Sequence, residues 1–491
     1  MERSAGIVLP LFSLPGPYGI GSLGAEAYRF ADFLRRAGQT WWQVLPVGPT
    51  GAGDSPYTSV STFAGNPLFI DLDLLAAEGL LEETDLRAAR LPAGPIDYAA
   101  LWKNREPLLR KAYSRGYGSA AAQVAAFTEE NPWVKQYALY RAVKAHFGDL
   151  PWTEWPDAAI RRCEAAAVAQ YQDLLAEDVA FHRYVQYLFF RQWQAFKAYV
   201  NAQGLRLIGD LPIYVSLDSA DVWSERREFL LGEDGLPTRV AGVPPDYFSA
   251  DGQLWGNPLY DWAAQKANGF GWWIRRVEGA GKLFDAIRID HFRGLESYWA
   301  IPAQAKTARE GTWEQGPGMD LLGTLTGWFP QLTFIAEDLG LLTPAVHQLR
   351  EAAKLPGMKV LEFAFSGPDN AYLPHHYTPH CICYTGTHDN DTALGWYTHA
   401  TAAERAFAAE YLGVSDPEAV CQALLRLGQG SVAELFMAQM QDYLALGSEA
   451  RTNIPGVAAG NWRWRLREGE ASETCGEKIH ALTAAFGRCS D

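Results

Sequence analysis

The feature that most constrains the fold is an alternation that runs through most of the 491 residues: short apolar runs rich in β-branched residues, separated by longer amphipathic stretches. Parallel strands need a crossover long enough to hold a helix, so this alternation argues for a parallel sheet wrapped by helices. The candidate strands are Trp42 to Val47, Leu68 to Leu72, Leu205 to Val215, Phe284 to Asp290, Thr333 to Glu337, Lys359 to Phe365, Cys381 to Thr387 and a weakly marked last one before Pro455. Eight such strands predict an α/β fold of the (β/α)8 TIM-barrel type. Between the second and third strands, residues 74–200 are rich in Ala, Glu and Arg with a helical pattern, and exceed any single crossover helix. They are expected to form an inserted, mainly helical subdomain. There is no 20 to 50 residue repeat and no linker-like boundary, so residues 1–491 are expected to be one barrel domain, without a C-terminal β-sandwich.

Charge and cysteine usage remove several function classes. The formal net charge of -15 repels phosphate backbones and anionic head groups, which argues against nucleic acid and membrane partners. Six cysteines, at 163, 381, 383, 421, 475 and 489, have neither the density of a disulfide scaffold nor a paired CxxC spacing, which fits a reducing cytoplasm. Cys381 and Cys383 lie in an apolar strand-like run and read as packing, so no metal is assigned. The apolar stretch from Ile7 to Leu14 is broken by Pro10 and followed by Pro15, Gly16 and Pro17 with no cleavage signal, so it is not read as a signal peptide. No apolar run reaches the 18 residues of a membrane helix.

Three candidate strands end in acidic residues, and active sites in such barrels form at the carboxyl ends of strands. In the run from Phe284 to Asp290, period 2 places Arg288 and Asp290 on one face, pointing into the barrel. A buried charge needs a partner, and a cation two residues away favours the ionised carboxylate, which suits a nucleophile; a structural salt bridge is the alternative. The run Phe334-Ile335-Ala336 ends in Glu337 and Asp338. Asp338 fits a helix cap, which leaves Glu337 as the candidate proton donor. The third strand runs through Thr387 to His388 and Asp389. That His-Asp pair could ligate a metal, but no spaced His or Cys cluster completes such a site. Paired carboxylates on neighbouring strands are what glycosidic bond exchange requires, one attacking the anomeric carbon and one protonating the departing oxygen. The 18 Trp and 22 Tyr offer faces for pyranose rings, a weaker pointer because aromatics are also ordinary core.

Beyond these carboxylates, the chain resembles the 4-α-glucanotransferases of the amylomaltase type, glycoside hydrolase family 77. The resemblance rests on Ser13 to Gly21, Trp42 to Pro46, Gly53-Asp54-Ser55-Pro56-Tyr57, Phe63 to Pro67, Gly209 to Pro212, Gly242 to Phe248, Trp255 to Pro258, the three acidic strand ends and Asn461 to Arg465, in the family's order. It implies Asp290 as nucleophile, Glu337 as acid and then base, and Asp389 as the group that binds sugar hydroxyls and favours ring distortion. Arg288 and His388 would flank the same sugar, with Ser55, Tyr57 and Asp210 as further contacts and Asn461 as a weaker one. Asp246, Tyr247, Phe248 and Trp255 would lie on a loop, residues 242–258, that folds over the glucan as an active-site lid. The implied substrates are maltooligosaccharides and α-1,4-glucans, and no cofactor is implied.

Two departures from the family pattern bear on specificity. Ala52 stands where many relatives have a Tyr of an accessory glucan site, and Asp251 follows Phe248-Ser249-Ala250 where Thr is expected. The chain also starts directly with barrel motifs, which points to a bacterial-type rather than a plant-type enzyme. A hydrolase with the same barrel and carboxylates, or an inert glucan-binding scaffold, would share these acidic motifs; retention of all three carboxylates argues against the second.

Overall fold

A computed structural model describes residues 2–245, 250–340 and 342–489. Its strands, in chain order, are β1 (Ser4–Val8), β2 (Trp41–Gln43), β3 (Arg206–Leu211), β4 (Arg239–Val243), β5 (Gln253–Pro258), β6 (Ala286–Ile289), β7 (Ser297–Pro302), β8 (Thr312–Gln315), β9 (Thr333–Ala336), β10 (Gly357–Val360), β11 (Cys381–Tyr384) and β12 (Leu435–Gln439). Eight of them close into a parallel barrel in the order β1-β12-β11-β10-β9-β6-β3-β2. The predicted (β/α)8 architecture is the observed one, with one thin wall: between β10 and β11 the crossover holds only the short 3-10 turns Leu361–Phe363 and Pro374–His376.

The barrel interior is a packed core. Val8, Trp41, Ile208, Ala286, Ile335, Met358, Ile382, Tyr384, Leu435 and Met437 form one buried cluster, and the Tyr384 hydroxyl donates to Gln43 Oε1 at 2.8 Å within it. Gly6 belongs to the same interior: a Cβ there would lie 2.6 Å from Met437 Sδ and 2.7 Å from the Trp41 Cβ. The bulk of Trp41 and Met437 therefore requires glycine in β1.

Two strand expectations are corrected. The first strand is Ser4–Val8, which is not among the eight expected runs, and Leu68 to Leu72 is not a strand. There, Asn66 caps a 3-10 turn at Pro67–Phe69 by accepting from the Leu68 N–H at 3.0 Å, and Asp71 caps the helix Leu72–Ala77 by accepting from Leu74 at 3.0 Å. Pro67 has no N–H to give a ladder. Buried side chains replace the missing strand partner: Gln186 binds both backbone groups of Gly65 (2.8 and 3.0 Å), Gln192 both of Asp71 (2.8 and 3.3 Å), and Arg105 the Ile70 carbonyl (2.7 Å). Gln186 and Gln192 come from the long helix Ala176–Ala202 and Arg105 from the helix Tyr98–Glu130, the two longest helices between β2 and β3.

A second, antiparallel sheet, β5-β4-β7-β8, is built from the segments after β3 and β6. The stretch 242–258 expected as a loop thus contains the end of β4 and all of β5. Asp246, Tyr247 and Phe248 lie outside the described residues. Among the described residues, no helix is long and apolar enough to cross a membrane. The six cysteines are unpaired, with Cys381, Cys383 and Cys421 buried.

Candidate active site

Parallel pairing places Asp290 and Glu337 side by side. Ala286 to Ile289 pair with Thr333 to Ala336 in register, so Asp290 and Glu337 are the next residues on two neighbouring strands. The Glu337 N–H donates to the Ile289 carbonyl (3.1 Å) and the Phe292 N–H to the Glu337 carbonyl (3.1 Å), which carries the register past the strand ends. Between them the backbone turns sharply: His291 has φ 49°, a left-handed conformation uncommon for a residue with a side chain. The turn aims the His291 N–H at Glu337 Oε2, 2.7 Å away, while the Leu339 N–H reaches Oε1 at 3.2 Å. The Glu337 carboxyl is therefore held on both oxygens by backbone.

Arg288 does face inward, on the same side as Ala286, and is 3% exposed. Its Nη1 lies 2.5 Å from Asp210 Oδ2 and 3.1 Å from Asp290 Oδ1. The Tyr57 hydroxyl donates to the same Asp210 oxygen at 2.5 Å, and its ring stacks on His388 with centroids 5.1 Å apart. Ser55 contributes by shape: its hydroxyl accepts from the Tyr57 N–H (3.2 Å) and caps the turn that presents Tyr57.

The expected low proton affinity of Asp290 is not what this arrangement produces. Burial raises its pKa above the usual carboxylate range; Arg288 opposes, but Asp210 shares that cation, and the charges of Asp210 and Asp389 raise the pKa further. Burial raises Glu337 too, with the charges of Asp290 and Asp338 added and Arg288 and the His291 N–H opposing. Arg288 opposes both shifts, and of the two carboxyls it is Asp290 that it hydrogen-bonds. The Tyr57 phenol stays protonated because burial and Asp210 raise its pKa well above the usual value, and burial lowers the pKa of His388.

Asp338 is not a helix cap. It accepts from the Met358 N–H at 2.7 Å and lies 3.3 Å from Arg350 Nε, tying β9 to β10, while the next helix, Pro344–Ala352, starts after Thr343. Its side chain is 8% exposed, whereas that of Asp290 opens to the cleft at 27%.

The third carboxylate, Asp389, is more open than Asp290, at 45%. Its Oδ1 accepts from Asn453 Nδ2 at 2.6 Å, with His388 Nε2 at 3.4 Å. Trp255, 38% exposed, meets the His291 ring edge-on with centroids 4.9 Å apart. These groups share one cleft of about 550 Å³, which Ser55, Tyr57, Trp255, Arg288, Asp290, Glu337, His388, Asp389 and Asn461 all line. Asn461 faces it, but its amide is engaged with the backbone of its own loop, accepting from Ile454 N–H (2.9 Å) and donating to Ile454 and Val457 carbonyls (3.2 and 2.9 Å). Sequence reasoning missed His291, Asn453 and Trp462 as site residues. His291, in the run from Phe284 to Gly294, and Trp462, adjacent to Asn461 and tilted against His388 with centroids 5.9 Å apart, stood within motifs of the sequence, whereas Asn453 did not.

A parallel barrel whose neighbouring strand ends offer paired carboxylates in an aromatic-lined cleft defines a carbohydrate-active enzyme of the glycosidic-bond type. Residues 9–471 match the glycoside hydrolase family 77 model, described as 4-alpha-glucanotransferase. A 4-alpha-glucanotransferase of Thermus thermophilus is 50% identical over 502 residues, covering 99% of each chain, and one of Streptococcus pneumoniae is 44% identical over 496 residues, covering 100% of this chain and 98% of the relative. The structure of an amylomaltase from Streptococcus agalactiae in complex with acarbose superposes over 100% of both chains, with a TM-score of 0.97 at 39% identity. The chain belongs to the 4-alpha-glucanotransferase family, glycoside hydrolase family 77, and is an enzyme with that activity.

Proposed function

We propose that this enzyme moves a segment of an α-1,4-glucan to the 4-hydroxyl of an acceptor glucan or glucose by a retaining double displacement. The observation that carries this reading is the shared register of Asp290 and Glu337 on adjacent strands. Neighbouring strands run about 4.8 Å apart, close to the roughly 5 to 5.5 Å between carboxyls that a covalent, retaining mechanism uses. Asp290 attacks C1 as Glu337 protonates the leaving O4, giving a glycosyl-enzyme of inverted configuration. Glu337, now ionised, takes the proton of the acceptor 4-hydroxyl, and a second inversion restores the α-linkage. One α-1,4 bond replaces another of nearly equal energy, and the scheme consumes no nucleotide.

Asp389 accepts hydrogen bonds from hydroxyls of the distorted sugar. Arg288, Tyr57 and Asp210 fix the charge around Asp290, and His388 and Trp255 offer ring faces. The Arg288 hydrogen bond to Asp290 supports the division of labour, since a nucleophile must be ionised while its partner still holds a proton. Asp246, Tyr247, Phe248 and Trp255 are the candidate lid, which favours transfer by keeping water from the intermediate. The acarbose bound by the Streptococcus agalactiae relative supports an oligosaccharide-shaped cleft and hence maltooligosaccharide and α-1,4-glucan substrates. Unpaired thiols fit a reducing cytoplasm.

Incubation of the purified protein with maltotriose tests the reading. A ladder of longer maltooligosaccharides with little rise in reducing ends is expected. Glucose and maltose with rising reducing ends would mean hydrolysis instead, and no reaction would remove this substrate class.

A further inference from the structure

The turn that carries Asp389 is gripped from one side by a short segment, Arg451 to Asn453. Arg451 Nη2 donates to the Asp389 carbonyl at 2.6 Å, and Arg451 Nε to the Asn453 carbonyl at 2.8 Å. The Asn453 N–H donates to the His388 carbonyl at 3.1 Å, and its side-chain Nδ2 donates to Asp389 Oδ1 at 2.6 Å. Three hydrogen bonds thus join the two segments, two on backbone carbonyls and one on the carboxylate itself, while the Arg451 Nε bond braces the gripping segment internally. No hydrogen bond from a described residue reaches Asp389 Oδ2, and Asn453 lines the cleft beside it.

We propose that Asn453 is a positioning residue for glucan transfer: its amide claims Oδ1 of Asp389, so that Oδ2 is presented to the sugar hydroxyls in one orientation. The inference rests on the reading of Asp389 as the hydroxyl-binding carboxylate. An amide suits this task because it donates to an ionised acceptor, a charge-assisted and short bond, without bringing a cation that would neutralise it. Asn461, the asparagine expected to bind substrate, cannot take this part, because its own amide closes the loop from Ile454 to Val457. The charged and titratable groups around Asp389 are His388 at 3.4 Å, Arg451 on its carbonyl, and Asp290 and Tyr57 across the cleft, whose proton affinities Asp389 raises.

Hydrogen bonds to sugar hydroxyls strengthen in the transition state, so a misaimed Asp389 lowers kcat and leaves KM nearly unchanged. The experiment is disproportionation of maltotriose by the full chain, with kcat and KM measured from pH 4.5 to 9 for wild type, N453A, N453D and D389N. N453A is expected to lose about 10- to 100-fold in kcat, the range of one charge-assisted hydrogen bond, with KM within about twofold. N453D separates positioning from mere support of the fold. At low pH the new carboxyl is protonated, the donor is restored, and activity recovers toward wild type. As pH rises that proton leaves, two like charges face each other, and the rate falls below that of N453A. Wild-type kcat in N453A, a loss confined to KM, or an N453D profile of wild-type shape would overturn the proposal. D389N guards the underlying reading: wild-type rates in D389N would overturn the role of Asp389 itself, whereas an inactive D389N beside fully active Asn453 variants would overturn this inference alone.

Discussion

Two regions of this enzyme bury polar groups, and they differ in which groups find partners. In the segment from Gly65 to Asp71, two glutamines and an arginine meet the backbone N–H and C=O groups of Gly65, Ile70 and Asp71 one by one. Beneath the cleft, Arg288 Nε and Asp210 Oδ1 are buried with no hydrogen-bond partner among the described residues, and Asp290 and Glu337 hold protons more tightly than exposed carboxyls do. Burying a polar group without a partner is unfavourable, so this scaffold segment closes its backbone hydrogen bonds, while the Asn66 amide nitrogen within it is buried without a partner among the described residues. The site instead buries charge, and the raised proton affinities of Asp290 and Glu337 are its consequence.

Breaking the cleft side of this contrast has the largest effect on rate. Asp290→Asn keeps the shape and removes the nucleophile; we expect initial transfer rates on maltotriose to fall about 10⁴-fold or more. Activity near wild type would take Asp290 out of the covalent step. Glu337→Gln is expected to cost about 10² to 10⁴-fold, the span of general acid catalysis. The loss should shrink with α-glucosyl fluoride as donor, whose leaving group needs no proton. An equal loss on both donors would assign Glu337 some task other than protonation.

Breaking the scaffold side should do the reverse, harming stability and sparing chemistry. Gln192→Leu leaves the buried N–H and C=O of Asp71 without partners, which costs about 2 to 4 kcal/mol of folding stability. Urea unfolding measures the loss, and KM for maltotriose on the folded variant should stay within error. A variant as stable as wild type would show that water or a shifted backbone replaces Gln192, and the contrast between the regions would weaken.

The same contrast explains how much of the molecule was legible in its sequence. The acidic strand ends were readable because period 2 and an abrupt carboxylate survive any packing detail, as Arg288, Asp290 and Glu337 show. β1 was not, since Gly6 and Pro10 look like breakers until Trp41 and Met437 are seen to need the space. Leu68 to Leu72 misled because its apolar run satisfies the strand pattern, while the groups that overrule it, Gln186, Gln192 and Arg105, are distant in sequence. Asp338 and Glu337 could be told apart only by their partners: one meets Met358 and Arg350, the other the turn at His291. Asn453 acts through a contact 64 residues away, and nothing local marks it.

The smallest predicted effect probes the cost of the cleft directly. Glu337 has a folded pKa raised above its ordinary value, chiefly by burial. Between the ordinary and the raised value the folded chain holds a proton that the unfolded chain has released, so stability falls as pH rises through that window. Below the ordinary value both states are protonated and no penalty applies. Glu337→Gln cannot ionise, so its melting temperature should match wild type near pH 4 and exceed it increasingly toward pH 8. With about 1.4 kcal/mol per pKa unit and the large unfolding entropy of a chain this size, the gain is about 1 to 3 °C. Calorimetry across that pH range measures it. A difference that stays constant with pH would mean that Glu337 ionises freely in the folded enzyme, and that the division of protons between it and Asp290 is set by the bound glucan rather than by the protein.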